Sequence, residues 1–231
     1  MRTLLRIAQT VAISFALTVP VVGHAGLDLI SNADATGALK LALEKGAGSA
    51  IANLGQAGGF LNNPKVRIPL PDTLKKTEKM IRLFGRGDEL DQLTESMNRA
   101  AEAAVPKARD LMVESVRSMS VSDARKILSG GDDSVTQYFR ERTSAPLQKQ
   151  FLPVVTEQVS KLGIAQQYNA LAGQGAKLGL VKGDATTIES YVTSKALDGL
   201  YAMIAEEEKA IRANPLKAGS SLLKKVFGAM K

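Results

Sequence analysis

The chain contains no cysteine and no tryptophan, and its single histidine is His24. Without cysteine there is no disulfide, no thiolate nucleophile and no zinc–thiolate site. His24 lies in a segment whose pattern marks it for removal, so the remaining chain has no imidazole either. That excludes a Ser-His-Asp triad, a histidine general base and a His-Glu-x-x-His zinc helix. Aromatic residues make up only 4% of the sequence. Nucleic-acid binders usually carry a dense basic stripe with stacking aromatics. Here the charge is a mild +7, and no nucleic-acid partner is expected.

One long apolar run is present, at the start. Arg2 and Arg6 precede an apolar stretch over residues 7–22, with Pro20 near its end and Gly23-His24-Ala25 after it. This basic, apolar, small-residue order is that of a secretory signal peptide, with cleavage expected after Ala25. Gln9, Thr10, Ser14 and Thr18 interrupt the run, which falls short of the about 20 residues that span a bilayer. No twin-arginine pair is present, which favours the general secretory route, and no cysteine at the cleavage point could carry a lipid. The expectation is a leader over residues 1–25 and a soluble periplasmic chain over residues 26–231, read as a single domain. Losing Arg2 and Arg6 takes the formal charge of +7 down by two.

The rest of the chain reads as short amphipathic helices separated by Gly, Pro and Ser. Helices are expected over residues 34–54, from Asp72 as cap to about residue 84, and from Asp88 as cap through a stripe of Leu90, Leu93, Met97, Ala100, Ala101 and Ala104. Pro106 restarts the chain with Ala108, Leu111, Met112, Ser115, Val116 and Met119 inward. Ser120 and Asp123 have the spacing of a capping box. Gly130-Gly131 ends that helix, and Asp132 or Asp133 caps the next, which carries Val135, Tyr138 and Phe139. Further helices span residues 145–162, kinked or split at Pro153, then 164–178, 186–213 and 220–230. One stretch differs: Val66, Ile68 and Leu70 alternate with Lys65, Arg67 and Pro69, as in an extended edge segment. Residues 178–181 are its one candidate partner. The fold class is therefore all-α, a multi-helix bundle with at most a minor two-stranded β ribbon.

Several stretches together resemble the DUF4197 family of exported Gram-negative bacterial proteins. They are Asn63-Pro-Lys-Val-Arg-Ile-Pro-Leu-Pro71, Met97-Asn-Arg-Ala-Ala-Glu-Ala-Ala-Val-Pro106 and Ile127-Leu-Ser-Gly-Gly-Asp-Asp133 leading into Tyr138-Phe-Arg140. Gln167-Tyr-Asn169 and Lys195-Ala-Leu-Asp-Gly-Leu-Tyr-Ala-Met-Ile-Ala-Glu-Glu-Glu208 complete the set. The resemblance covers essentially the whole chain after residue 25. It implies an exported, mainly helical envelope protein and carries over no activity or catalytic residue.

Candidate functional residues follow from charge and spacing. Glu208 falls inside the apolar stripe of Leu197, Leu200, Ile204 and Ile211. A carboxylate placed there needs a cation or a raised pKa. The structural reading pairs it with Arg99 or Arg140; the catalytic reading makes it a general acid, which a hydrolase can use without histidine. Glu95, Asn98, Arg99 and Glu102 are read as a solvated face with i,i+4 pairing, or else as a polar seam against another helix or a partner. Asp132 and Asp133 follow two glycines in a turn that can bind an ion, although capping is the favoured role. Lys65 and Arg67 project from a stiff proline-rich segment suited to binding. Lys224, Lys225 and Phe227 suit either peripheral contact with an anionic membrane or docking on the bundle. Gly46-Ala-Gly48 is no phosphate loop, since no Gly-Lys-Ser/Thr follows.

The candidate binding set is thus Lys65, Arg67, Arg99, Asp132, Asp133 and Arg140, with no metal or cofactor expected. The preferred function is a non-enzymatic binding or adaptor protein of the cell envelope. Its partner is an envelope protein or a small apolar or lipidic ligand held between helices. A carboxylate-dependent hydrolase of an envelope polymer is the first alternative. A structural or stress-associated protein without a dedicated ligand is the second.

Overall fold

The computed structural model describes residues 32–177 and 187–214. The leader expected at 1–25, the strand candidate at 178–181, and the helix expected at 220–230 with its Lys224, Lys225 and Phe227 lie outside the described residues. Within them run eight α-helices and no β-strand. They are α1 (Asn32–Gly55), α2 (Asp72–Leu83), α3 (Gly87–Ala104), α4 (Arg109–Arg117), α5 (Val121–Ser129), α6 (Ser134–Lys161), α7 (Ile164–Lys177) and α8 (Ile188–Ala213). A 3₁₀ turn, Val105–Ala108, joins α3 to α4. The all-α bundle expected from periodicity is the fold found.

Its centre is α6 lying along α8, with α3 packed against both and α1 against α8. Phe139, Thr143, Leu147, Phe151, Val155 and Val159 of α6 form an unbroken i,i+4 row, and every member is buried. Such a row winds slowly around the helix, turning about 40° per step, and gives each successive turn of α6 a side hidden from water. In α8 the matching face is Val192, Ala196, Leu200 and Ile204, flanked by Tyr201. Close approach depends on small residues. A Cβ on Gly199 of α8 would sit 2.5 Å from Cε1 of the fully buried Phe60, so only hydrogen fits there. Two buried hydroxyls meet inside the core, Thr143 and Tyr201, 2.9 Å apart. Tyr138 donates to the Ser115 carbonyl at 2.7 Å, tying α6 to α4.

Four local expectations change. Asp72 is the first helical residue of α2, behind an extended Pro71, and Asp88 sits inside α3 behind Arg86. Neither side chain caps an amide; each carboxylate lies in a first turn, where the helix dipole favours it. Asp133 stands at the N-cap of α6 without capping it either. The Ser120–Asp123 box forms as expected, with the Ser120 hydroxyl accepting from the Asp123 amide at 3.1 Å.

Pro153 does not split its helix. The segment of Val135 to Phe139 and the one through Pro153 are one helix, α6, with Pro146 and Pro153 both inside it. Pro153 lies on the exposed side, so water can take the carbonyl bond that the proline cannot make. The buried row on the opposite side keeps the helix continuous.

The fourth concerns residues 63–71, which form no strand: residues 64–66 are a turn, in which the Val66 and Arg67 amides donate to the Asn63 carbonyl at 3.1 and 2.8 Å, and only 67–71 run on without turn or helix. Val66, Ile68 and Leu70 are buried while Lys65, Arg67 and Pro69 are exposed, so the alternation is real. What replaces the missing strand is one side chain. Asn98 of α3 accepts from the Ile68 amide at 2.8 Å and donates to the Ile68 carbonyl at 3.0 Å.

Candidate functional site

Polar residues on α3 and α8 hold two non-helical stretches. On α8, Glu208 is 4% exposed, as its place in the apolar stripe implies. Its partner is neither Arg99 nor Arg140. Arg212, one turn further along the same helix, donates from Nε and Nη2 to Glu208 Oε1 at 3.1 and 2.9 Å. The Val135 amide donates to Oε1 at 3.0 Å, and the Thr136 amide and hydroxyl donate to Oε2 at 3.1 and 3.0 Å. Glu208 therefore closes the start of α6, where free amides and the helix dipole both attract an anion. Both its oxygens are occupied by the protein.

Arg212 performs the converse service for the preceding helix. Its Nη2 donates to the Ile127 carbonyl at the end of α5, at 3.1 Å, and to Ser134 Oγ at 2.6 Å. One acid–base pair on α8 thus satisfies the carbonyl end of α5 and the amide end of α6. The Gly130–Asp133 turn between them is left exposed. Asp133 accepts only from Gln137, at 2.7 Å.

The α3 set is a polar seam. Asn98 is fully buried and Glu102 is 5% exposed, which overturns the solvated-face reading for both. Glu102 Oε1 accepts from the Phe60 and Leu61 amides at 3.0 and 3.2 Å. Its Oε2 accepts from Arg99 at 3.0 Å, and Arg99 reaches Glu95 at 3.4 Å. Asn98 donates a second time, to the Thr94 carbonyl at 2.7 Å. The seam fastens residues 60–68 to the bundle.

The rest of the loop is held from α8. Lys65 pairs with Glu206, and Asn63 donates to Met203 Sδ at 3.5 Å. Tyr191 donates to the Pro69 carbonyl at 3.0 Å. Burial pushes the Tyr191 phenol up to about 12, and the Asp72 carboxylate adds to the rise. With a folded pKa above the unfolded one, the stabilising contribution is complete below about pH 10. It is lost as the pH climbs through about 12. Ultraviolet titration is expected to show a tyrosinate step at about pH 12 that disappears in Tyr191→Phe. Loss from Tyr191→Phe of a step at about pH 10 instead would contradict this contact.

The remaining sequence candidates are dispersed. Arg140 lies 4.6 Å over the Tyr201 ring and 3.8 Å from Asp198. Arg67 is exposed, and its charge helps Arg82 hold the Asp91 carboxyl below the usual range. No hydrogen bond or ion pair joins any two of Lys65, Arg67, Arg99, Asp132, Asp133 and Arg140. The fold does not assemble them into one site.

What the fold does create is a groove between α1 and the start of α4, which sequence reasoning missed. One depression of about 590 Å³ is lined by Gly48, Ile51, Ala52, Gly55, Gln56, Pro106 and Arg109. A second of about 310 Å³ shares Gly48, Ile51 and Arg109 with it and adds Leu41, Ala47, Met112 and Val113 together with the charged Glu44 and Lys45. Volumes of this order suit a small ligand. Arg109, at the shared wall, is exposed and has no hydrogen-bond or ion-pair partner. The visible signal was Gly46, Gly48 and Gly55 on one helix, but glycine spacing says nothing of which side chain stands opposite.

Among the described residues there is no group of three or more acidic or histidine side chains able to hold a metal ion. No described helix is long and apolar enough to cross a membrane. The described residues thus form an all-α protein whose buried polar groups close helix ends and a loop, beside an open groove. The chain belongs to the family described as protein of unknown function (DUF4197), whose model matches residues 29–228. No curated protein and no solved structure matches the chain.

Proposed function

We propose that this is a non-enzymatic binding protein of the Gram-negative cell envelope, exported to the periplasm, which holds a small amphiphile in the groove between α1 and α4. The observation that carries the reading is Arg109, an unpaired guanidinium at the wall of a groove otherwise lined mostly by Ile51, Ala52, Pro106 and glycines. Ligand sites are largely apolar concavities in which a few polar groups fix orientation. A guanidinium pairs best with a carboxylate or phosphate. The fitting ligand therefore has one anionic group and a short apolar body. The leader pattern of residues 1–25 supports the periplasmic location.

Dodecanoate is a suitable probe. It is expected to raise the melting temperature of the protein, and a twentyfold excess over its Kd adds about 1.8 kcal/mol of stability. Arg109→Gln should weaken binding about tenfold, while the fold, to which Arg109 contributes no bond, stays intact. Equal binding by both proteins, or no shift with either, would overturn the reading.

A further inference from the structure

Helix α2 carries a surface that neither the groove nor the loop seam uses. Its inward side is Leu74, Thr77 and Ile81, which are buried. Its outward side presents Lys76, Lys79, Met80 and Leu83, spaced as one helical stripe, with Lys75 beside it and Phe84 at the tip. Leu83 is 77% exposed and Phe84 63%, the two most exposed large apolar residues of this helix end, with Met80 at 40%. The charges around them are not equivalent. Arg82 is neutralised by Glu78 and Asp91, at 3.0 and 2.7 Å, and Arg86 by Glu89 at 2.5 Å. Lys75, Lys76 and Lys79 are exposed and have no carboxylate partner. The stripe is therefore apolar at its end and lysine-rich behind it, with the exposed carboxylate of Asp72 at its far end, one turn before Lys76.

We infer that this face of α2 docks on an anionic phospholipid surface, with Leu83 and Phe84 inserted at the headgroup boundary and Lys75, Lys76 and Lys79 among the phosphates. The charge complementarity is direct: three unpaired ammonium groups beside the only apolar protrusion of the helix. Lysine suits this geometry because its apolar stem lies along the interface while its ammonium stays with the phosphates. Lys76 and Leu83 are seven residues, about 10 Å, apart along the axis, so one helix lying on the surface brings both to it. α2 packs on α3 and α7, whereas the groove is built on α1 and α4. The inference therefore stands without the ligand reading.

The test is co-sedimentation of the purified chain, in the form that cells accumulate, with vesicles. One set contains phosphatidylcholine alone and the other adds about a third phosphatidylglycerol. Binding is expected to the anionic set only, and to fall by about fivefold for each lysine changed in Lys76→Gln and Lys79→Gln. The pair Leu83→Ser with Phe84→Ser should abolish it, while Leu152→Ser, another exposed leucine on α6, leaves it unchanged. Exposed positions keep the fold intact, which circular dichroism checks. Equal binding to both vesicle sets, absence of binding, or binding that survives the Leu83 and Phe84 changes would overturn the inference. Loss of binding only when Lys224, Lys225 and Phe227 are altered would also overturn it and move the contact to residues 220–230.

Discussion

Replacing Glu208 with alanine is expected to cost about 3–5 kcal/mol of stability, the range for breaking one side of a buried ion pair. Two amides at the start of α6 lose their acceptor, and the partly buried Arg212 guanidinium between α5 and α6 loses the Glu208 carboxylate. For a protein of this size that corresponds to a fall in melting temperature on the order of 10 °C. Glu208→Gln keeps the volume but removes the charge and turns an NH₂ toward amide and guanidinium donors, with only the Thr136 hydroxyl able to accept from it, so it should also destabilise. Arg212→Met should cost less, because Glu208 retains the Val135 and Thr136 amides. The double change is expected to cost less than the sum of the two, as coupled neighbours do. Thermal unfolding of the four variants measures this. A Glu208→Gln protein with unchanged stability would leave the helix-closing role without support.

The second large effect is at Asn98. Asn98→Ala leaves the Ile68 amide and carbonyl buried without partners, at about 1–3 kcal/mol for each such group. Asn98→Asp should be worse than alanine. It keeps the acceptor for the Ile68 amide but sets a carboxylate against the Ile68 and Thr94 carbonyls, which both need a donor. Urea unfolding gives the cost, and hydrogen exchange gives the place: protection at the Ile68 amide should vanish in Asn98→Ala. An alanine variant that keeps that protection would show that the loop is held by Glu102, Lys65 and Tyr191 alone.

Periodicity made the helices legible because each buries a regular face. The stripe from Leu90 to Ala104 and the Ser120–Asp123 box follow spacing within one turn or two. The burial of Val66, Ile68 and Leu70 was equally readable from alternation. What hydrogen-bonds them was not, since Asn98 is 30 residues away from Ile68 and only the tertiary fold brings them together. Glu208 shows both sides of this. Its place on a buried stripe followed from the 3.6-residue period, and Arg212 stood at i+4 on the same helix. Yet the amides it accepts from are 73 and 72 residues distant. That is also why Asp133 was the natural capping candidate for α6. The remote carboxylate displaced it because Glu208 arrives already buried and needs donors. The groove was invisible for a different reason: a cleft is made by what two helices fail to fill, and a sequence records only what each one carries.

Native mass spectrometry of the protein isolated from cells without denaturation, alone and after incubation with an anionic amphiphile, tests the binding reading most directly. The expected spectrum shows one added mass in the range of a small amphiphile, retained by the wild-type chain and depleted in Arg109→Gln. A bare chain under both conditions, or an added mass that Arg109→Gln holds equally well, would contradict a ligand site in the α1–α4 groove.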